Sequence, residues 1–169
     1  MPSAEEREAR LYARLSELGI ATTTHAHAAV FTVEEAAALY ASQRGGHTKN
    51  LFLVDRRKRL WLVVARDTAR IDLTALAHHL GTPRFSFGSG ELLIATLGVA
   101  PGSVTPFAIM NDVECLVRVV LDEAMLALDP LNFHPLRNDR TTAITAPDLL
   151  KFLRACQHEP VIVKLPERE

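Results

Sequence analysis

Apolar positions recur along this chain with two different periods, and the places where the period changes mark its elements. From Ser3 the stretch SAEEREARLYARLSEL carries Leu11, Leu15 and Leu18 at helical spacing. Ser3 followed by Glu6 forms a capping-box signature, so a helix is expected over about 3–18. ATTTHAHAAV is β-branched with partial alternation and reads as a strand. Thr32 then stands before a second helix, VEEAAALYASQ, which Gly45 and Gly46 stop. NLFLVDRRKRLWLVVA is two apolar runs around a charged centre, the pattern of two strands joined by a tight turn, although no Asn-Gly or Asp-Gly sets the turn type.

Beyond this hairpin the reading continues with two short helices. IDLTALAHHLG is capped at Asp72, and SGELLIATLGV ends at Gly98. PGSVTPF is a loop by its proline and glycine content. FAIMN and VECLVRVVLD then read as strands, LNFHPLRNDRTTAIT as polar and turn-rich, PDLLKFLRACQ as a helix and PVIVKL as a closing strand. The expected architecture is α/β (α+β): one domain spanning 1–169, with a mixed central β-sheet flanked by helices.

Composition narrows the picture. With 169 residues, 48% of them apolar, the chain can bury the core of one compact domain. A net charge of −1 excludes a protein that holds nucleic acid by bulk charge, so any RNA contact must be a local patch. No run of about 18 apolar residues exists, and the acidic start MPSAEEREAR is unlike a secretory signal; a cytoplasmic protein without a membrane partner is expected. Cys115 and Cys156 lie in apolar contexts without metal-ligand spacing, and both are expected to be buried. His25 and His27 alternate but lack a third ligand, so neither metal nor cofactor is called for. GxGxxG, GxxxxGK[ST] and GxSxG motifs are absent, which argues against dinucleotide, P-loop and α/β-hydrolase sites.

Three polar loop segments remain as candidate chemistry: His47 to Asn50, Gly102 to Pro106, and Asn132 to Pro135. Taken singly, each leaves two readings open. Lys49 is either a solvated charge at a strand start or an anion-binding lysine. Gly102 to Pro106 is either a plain turn or a backbone cradle for a carbonyl oxygen, and His134 is either structural or catalytic. The charged turn Asp55 to Arg59 is either solvated or a contact for a phosphate backbone.

Taken together, GGHTKNLFLVDRRKRLWLVV, GSVTPF, NFHPLRND with Thr141 and Thr142 after it, and DLLKFL with HEPVIVKL resemble the YbaK/ProX family of aminoacyl-tRNA editing domains, which is related to the insertion domain of bacterial prolyl-tRNA synthetases. Family marks are a lysine opening a strand, matched by Lys49, and a Gly-x-x-x-Pro loop, matched by Gly102 to Pro106. NFHPLRND with GSVTPF is most similar to the free-standing alanine-specific branch. The resemblance implies a hydrolase that removes alanine from mischarged tRNA(Pro). A prolyl-tRNA synthetase or an elongation factor would be a possible associate; a cysteine-specific deacylase and a non-catalytic RNA-binding module are the competing readings.

A synthetase pocket shaped for proline rejects smaller alanine by only about 1–3 kcal/mol, so a second, smaller sieve is needed. The resemblance implies pocket contacts from Val30, Phe31, Ser103, Val104, Thr105, Pro106 and Phe133. It implies an oxyanion cradle at Gly102, and Asn50 and His134 orienting water or the aminoacyl amine. Lys49 would meet the terminal phosphate or the carbonyl, and Arg56, Arg57, Lys58 and Arg59 the tRNA backbone.

Overall fold

A computed structural model of the chain describes residues 2–29 and 32–169. Helix α1 (Ala4–Glu17) begins as the capping box predicts. The Ser3 side chain accepts from the Glu6 amide, and Glu6 accepts from the Ser3 amide. Strand β1 (Thr23–Ala26) and helix α2 (Val33–Ser42), whose Glu35 amide donates to Thr32 Oγ, precede the long strand β2 (Gly46–Asp55) and its hairpin partner β3 (Leu60–Arg66). Helix α3 (Leu73–His79), strand β4 (Phe85–Phe87) and helix α4 (Gly90–Leu97) follow. A 3-10 turn (Pro106–Asn111) and β5 (Val117–Asp122) lead to β6 (Leu131–Phe133), β7 (Arg140–Ile144), α5 (Ala146–Ala155) and β8 (Val161–Val163).

Among the described residues the strands form one mixed sheet in the order β1-β7-β6-β2-β3-β5-β8, with β4 added to β2. β2 pairs antiparallel with β3 and β4 and parallel with β6, and β3 with β5 and β5 with β8 are parallel. Alternation along the central strands sends side chains to two cores, which is why LWLVVA is apolar without a break. Phe52, Leu62, Val64 and Val119 pack with α1, α4 and α5 around Phe107, whose ring meets Phe133 and Phe152 edge-on at 5.8 and 5.6 Å. Leu53, Trp61, Val63 and Ala65 pack on the other face with α3 and β4, Trp61 lying edge-on to Phe85 at 5.6 Å.

The hairpin turn is organised by a buried carboxylate in place of a glycine pair. Asp55 accepts from the amides of Arg57 and Arg59, from Arg59 Nε at 2.9 Å, from Trp61 Nε1 at 3.1 Å and from Thr82 Oγ at 2.5 Å.

Four expectations are corrected. FAIMN is a 3-10 turn because Thr105 caps the Phe107 amide and Pro106 sets the first position, committing the backbone to a helical sense. The VEC segment does not belong to β5. Cys115 has a φ of 56° in a turn held by Asp112, which accepts from the Leu116 and Val117 amides, so Cys115 is exposed and Cys156 only half-buried. LNFHPLRNDRTTAIT contains β6 and β7. These segments are too short for a period to show and are held by partners distant in the chain.

Candidate functional site

β2 has a break along one edge. β6 pairs with it at Gly46 and His47, and β4 at Leu53 to Asp55, leaving the stretch between them without a neighbouring strand. The Gly46 amide donates to Pro130 O and the Phe52 carbonyl accepts from Gly88, so even-numbered residues aim their main chain at this edge, whereas the Asp55 amide donates to Arg59 O of the hairpin. The main-chain N–H and C=O of Asn50 therefore face the gap.

At this gap lies a cleft of about 190 Å³ lined by Thr48, Lys49, Asn50, Gly102, Val104 and His134. A recess of about 20 Å³ shares Thr48, Asn50 and His134 with it and adds Asn132, Phe133 and Thr141. All three loop segments singled out from the sequence thus meet at one place. Wider depressions of about 570 Å³ beside Tyr12 and Arg140 and about 550 Å³ beside Trp61 and Arg118 lie elsewhere. The small cleft is the candidate because of the unused hydrogen-bonding groups it collects.

Asn50 Oδ1 is buried and has no hydrogen-bond partner among the described residues. The ring of His134 is fixed by Nδ1, which lies 3.0 Å from the Arg140 carbonyl. A carbonyl only accepts, so Nδ1 carries the proton and Nε2 is left as an acceptor. Burial pushes the His134 pKa below its usual value and the neighbouring His27 adds to this, against the opposing pull of the Arg140 carbonyl and Asp139, so the ring is neutral at neutral pH. Gly102 sits at a φ of 91°, and among the described residues the amides of Gly102 and Val104 donate to no other group.

Other predicted residues have different surroundings. Ser103, Thr105 and Pro106 are buried, Thr105 completely, and serve the loop's own geometry: the Ser103 amide donates to Ala100 O and Thr105 caps the 3-10 turn. Phe133 is 2% exposed and belongs to the core while closing the base of the recess. Val30 and Phe31 lie outside the described residues. Lys49 lines the cleft along the strand, but its side chain leaves β2 on the face of Leu51 and Leu53, opposite to Asn50, and Nζ donates to the Ala69 carbonyl. It has no carboxylate partner among the described residues. Arg56, Arg57 and Lys58 are exposed at the hairpin turn, six to eight positions from Asn50 and so roughly 20 Å away. Arg59 is held inward by Asp55 and Thr82.

Thr48 and Asn132 lie within the loop segments singled out from the sequence, and Thr141 beside one of the family-like motifs, but the sequence assigns none of the three a role. Thr48 Oγ donates to Asn132 O at 2.7 Å, and the Asn132 amide group donates to Arg44 O and Gly46 O, pinning β6 against the start of β2. His27 had been set aside as a metal ligand. Its Nδ1 donates to Ala28 O at 2.7 Å, its Nε2 accepts from Thr141 Oγ at 2.8 Å, and its ring centroid is 6.3 Å from that of His134. The alternation of THAH hinted at this face; only strand pairing brings it to His134.

Comparison with known proteins bears on what such a cleft does. Residues 27–152 match the model of the aminoacyl-tRNA editing domain. The chain is 40% identical over 151 residues to the prolyl-tRNA synthetase associated domain-containing protein 1 of Danio rerio, covering 88% of this chain and 82% of that one. It is 35% identical over 144 residues to the prolyl-tRNA editing protein ProX of Acetoanaerobium sticklandii, covering 85% and 88%. The solved structure of a candidate trans-editing enzyme for prolyl tRNA synthetase shares the fold, with a TM-score of 0.72 at 20% identity over 96% of this chain and 98% of that one.

Proposed function

The chain belongs to the aminoacyl-tRNA editing domain family, and from that premise we propose that it hydrolyses the ester of mischarged tRNA(Pro), with alanyl-tRNA(Pro) as its substrate. The observation that carries this reading is the meeting, in one small cleft, of a buried acceptor at Asn50 and backbone donors at Gly102 and Val104, all unpaired among the described residues, with a neutral imidazole acceptor at His134.

These groups match the charges of an aminoacyl ester. The free α-ammonium needs acceptors, and Asn50 offers two, Oδ1 and the main-chain carbonyl at the open edge. In hydrolysis a water oxygen adds to the ester carbonyl carbon and negative charge develops on the carbonyl oxygen. The Gly102 and Val104 amides meet that charge without rearranging. The carbon–oxygen bond to the ribose then breaks, and the ribose oxygen leaves as a hydroxyl, taking the proton that the attacking water gives up. Neutral His134 accepts from the attacking water through Nε2 and so holds it in line. Lys49 leaves β2 on the face opposite Asn50, where among the described residues its Nζ meets the Ala69 carbonyl and no carboxylate, and we assign its charge to the terminal phosphate rather than to the ester.

Selectivity follows from size. On this reading the recess of about 20 Å³ closed by Phe133 takes the alanine methyl group, and the larger proline ring does not enter it. A deacylation panel on one tRNA(Pro) charged in turn with alanine, cysteine, serine and proline tests the reading. Hydrolysis of the alanyl form and sparing of the prolyl form are expected. Preference for the cysteinyl form would replace the substrate, and binding without turnover would replace the enzyme with an RNA-binding module.

A further inference from the structure

The family match begins at residue 27, so α1 lies outside it, yet α1 sends a buried carboxylate toward the loop that carries His134. Glu8 is 6% exposed. Its Oε1 faces Arg140 Nη1 at 3.4 Å and Arg137 Nη1 at 3.6 Å, and its Oε2 accepts from Tyr12 Oη at 2.8 Å. Tyr12 lies against Thr24, which is bonded to Thr142 at 2.8 Å, so α1, β1 and β7 are joined at this one carboxylate. Arg140 is the residue whose carbonyl receives the His134 Nδ1 proton. Arg137 clasps Asp139, and the Asp139 carbonyl accepts from the His27 amide.

Attachment of α1 does not require this charge, because Leu11 and Leu15 are 0% and 2% exposed in the core. A buried carboxylate adds little net stability over an apolar side chain of similar size; its particular contribution is to hold two guanidinium groups in one arrangement. We infer that Glu8 is a positioning residue of the hydrolytic site, fixing through Arg140 and Arg137 the 134–140 loop and with it the single tautomer of His134. The inference rests on the proposed hydrolytic reading for its kinetics but not for its structural part.

The test is Glu8→Gln, which keeps shape and can still bond Tyr12, measured on alanyl-tRNA(Pro) and by nitrogen NMR of the histidine side chains. Expected are a kcat lower by roughly tenfold with KM within about twofold, a displaced acidic limb in the kcat–pH profile, and a His134 signal changed from one tautomer to a mixture. Tyr12→Phe, which keeps the carboxylate and both arginines, should retain at least about half the activity. If the glutamine variant does not fold, Arg140→Met breaks the link from β7 and should give the same displaced limb. An unchanged limb with an unchanged tautomer signal overturns the inference, and so does a loss of activity that tracks a fall in Tm alone. Failure of the wild-type protein to deacylate any substrate would remove the proposed function, while the NMR comparison would still decide whether Glu8 fixes His134.

Discussion

At the scale of single residues, the proposed site draws on groups that have no partner among the described residues. Asn50→Ala removes the buried Oδ1 acceptor and should lower kcat/KM on alanyl-tRNA(Pro) by about 100-fold, with Tm nearly unchanged because that oxygen bonds nothing among the described residues. Single-turnover deacylation of the variant checks this. His134 predicts a pH dependence. Its pKa is depressed by burial, so the neutral, accepting ring persists above that pKa and is lost as pH falls through it. The acidic limb of kcat/KM should therefore have its midpoint below the ordinary histidine value of about 6.5; a midpoint above 7 would contradict the neutral-acceptor role. Lys49→Ala should remove most activity while leaving thermal stability within about 1 kcal/mol, since among the described residues its side chain bonds the Ala69 carbonyl alone. Full turnover in that variant would end its assignment to the phosphate.

At the scale of elements, the β2–β3 hairpin and the Gly102 loop illustrate two ways of holding backbone in place. Burial by itself pushes the Asp55 pKa up, but the bonds from Thr82, Arg59 and Trp61 outweigh it, and the net pKa lies well below the usual carboxylate range. A depressed carboxylate stabilises the fold above its unfolded pKa, and that contribution disappears as pH falls through the folded value. Asp55→Ala should accordingly cost about 3 kcal/mol near neutrality and progressively less below about pH 4, as urea unfolding at several pH values would report. Gly102 behaves differently. A Cβ there would meet nothing closer than Asn138 Nδ2 at 3.7 Å, so the obstacle to Gly102→Ala is its φ of 91°. The substitution should cost roughly 1–2 kcal/mol and turn the adjacent amides away from the cleft, so the activity loss should exceed what the stability loss explains.

At the scale of the whole molecule, the cleft and the basic turn lie at opposite ends of β2. Arg56, Arg57 and Lys58 are free to meet a phosphate backbone only if the bound RNA reaches roughly 20 Å from the ester, a distance well within the size of an acceptor stem. Replacing all three with serine should raise KM and flatten its salt dependence by up to about three units of slope, with kcat unchanged; titration of KM from low to physiological salt distinguishes this from a purely solvated turn. Arg59 should not be grouped with them, because Asp55 holds its guanidinium.

Legible in the chain itself were the elements long enough to display a period or a cap: α1 with its capping box, α3 behind Asp72, α4 ending at Gly98, and the two long strands around Asp55 to Arg59. The short motifs around Lys49, Gly102 and His134 could also be read there, because special backbone needs glycine or proline and leaves a local mark. Tertiary structure alone decided the rest. β4, β6 and β7 are three to five residues long, so their hydrogen bonds depend on partners brought from far along the chain. For the same reason, no local pattern could reveal that among the described residues one edge of β2 lacks a strand between β6 and β4, that Lys49 and Asn50 present opposite faces to that gap, or that a carboxylate in the first helix reaches the arginine whose carbonyl holds His134. Hydrophobic periodicity is a property of neighbours in sequence, whereas an active site is a property of neighbours in space.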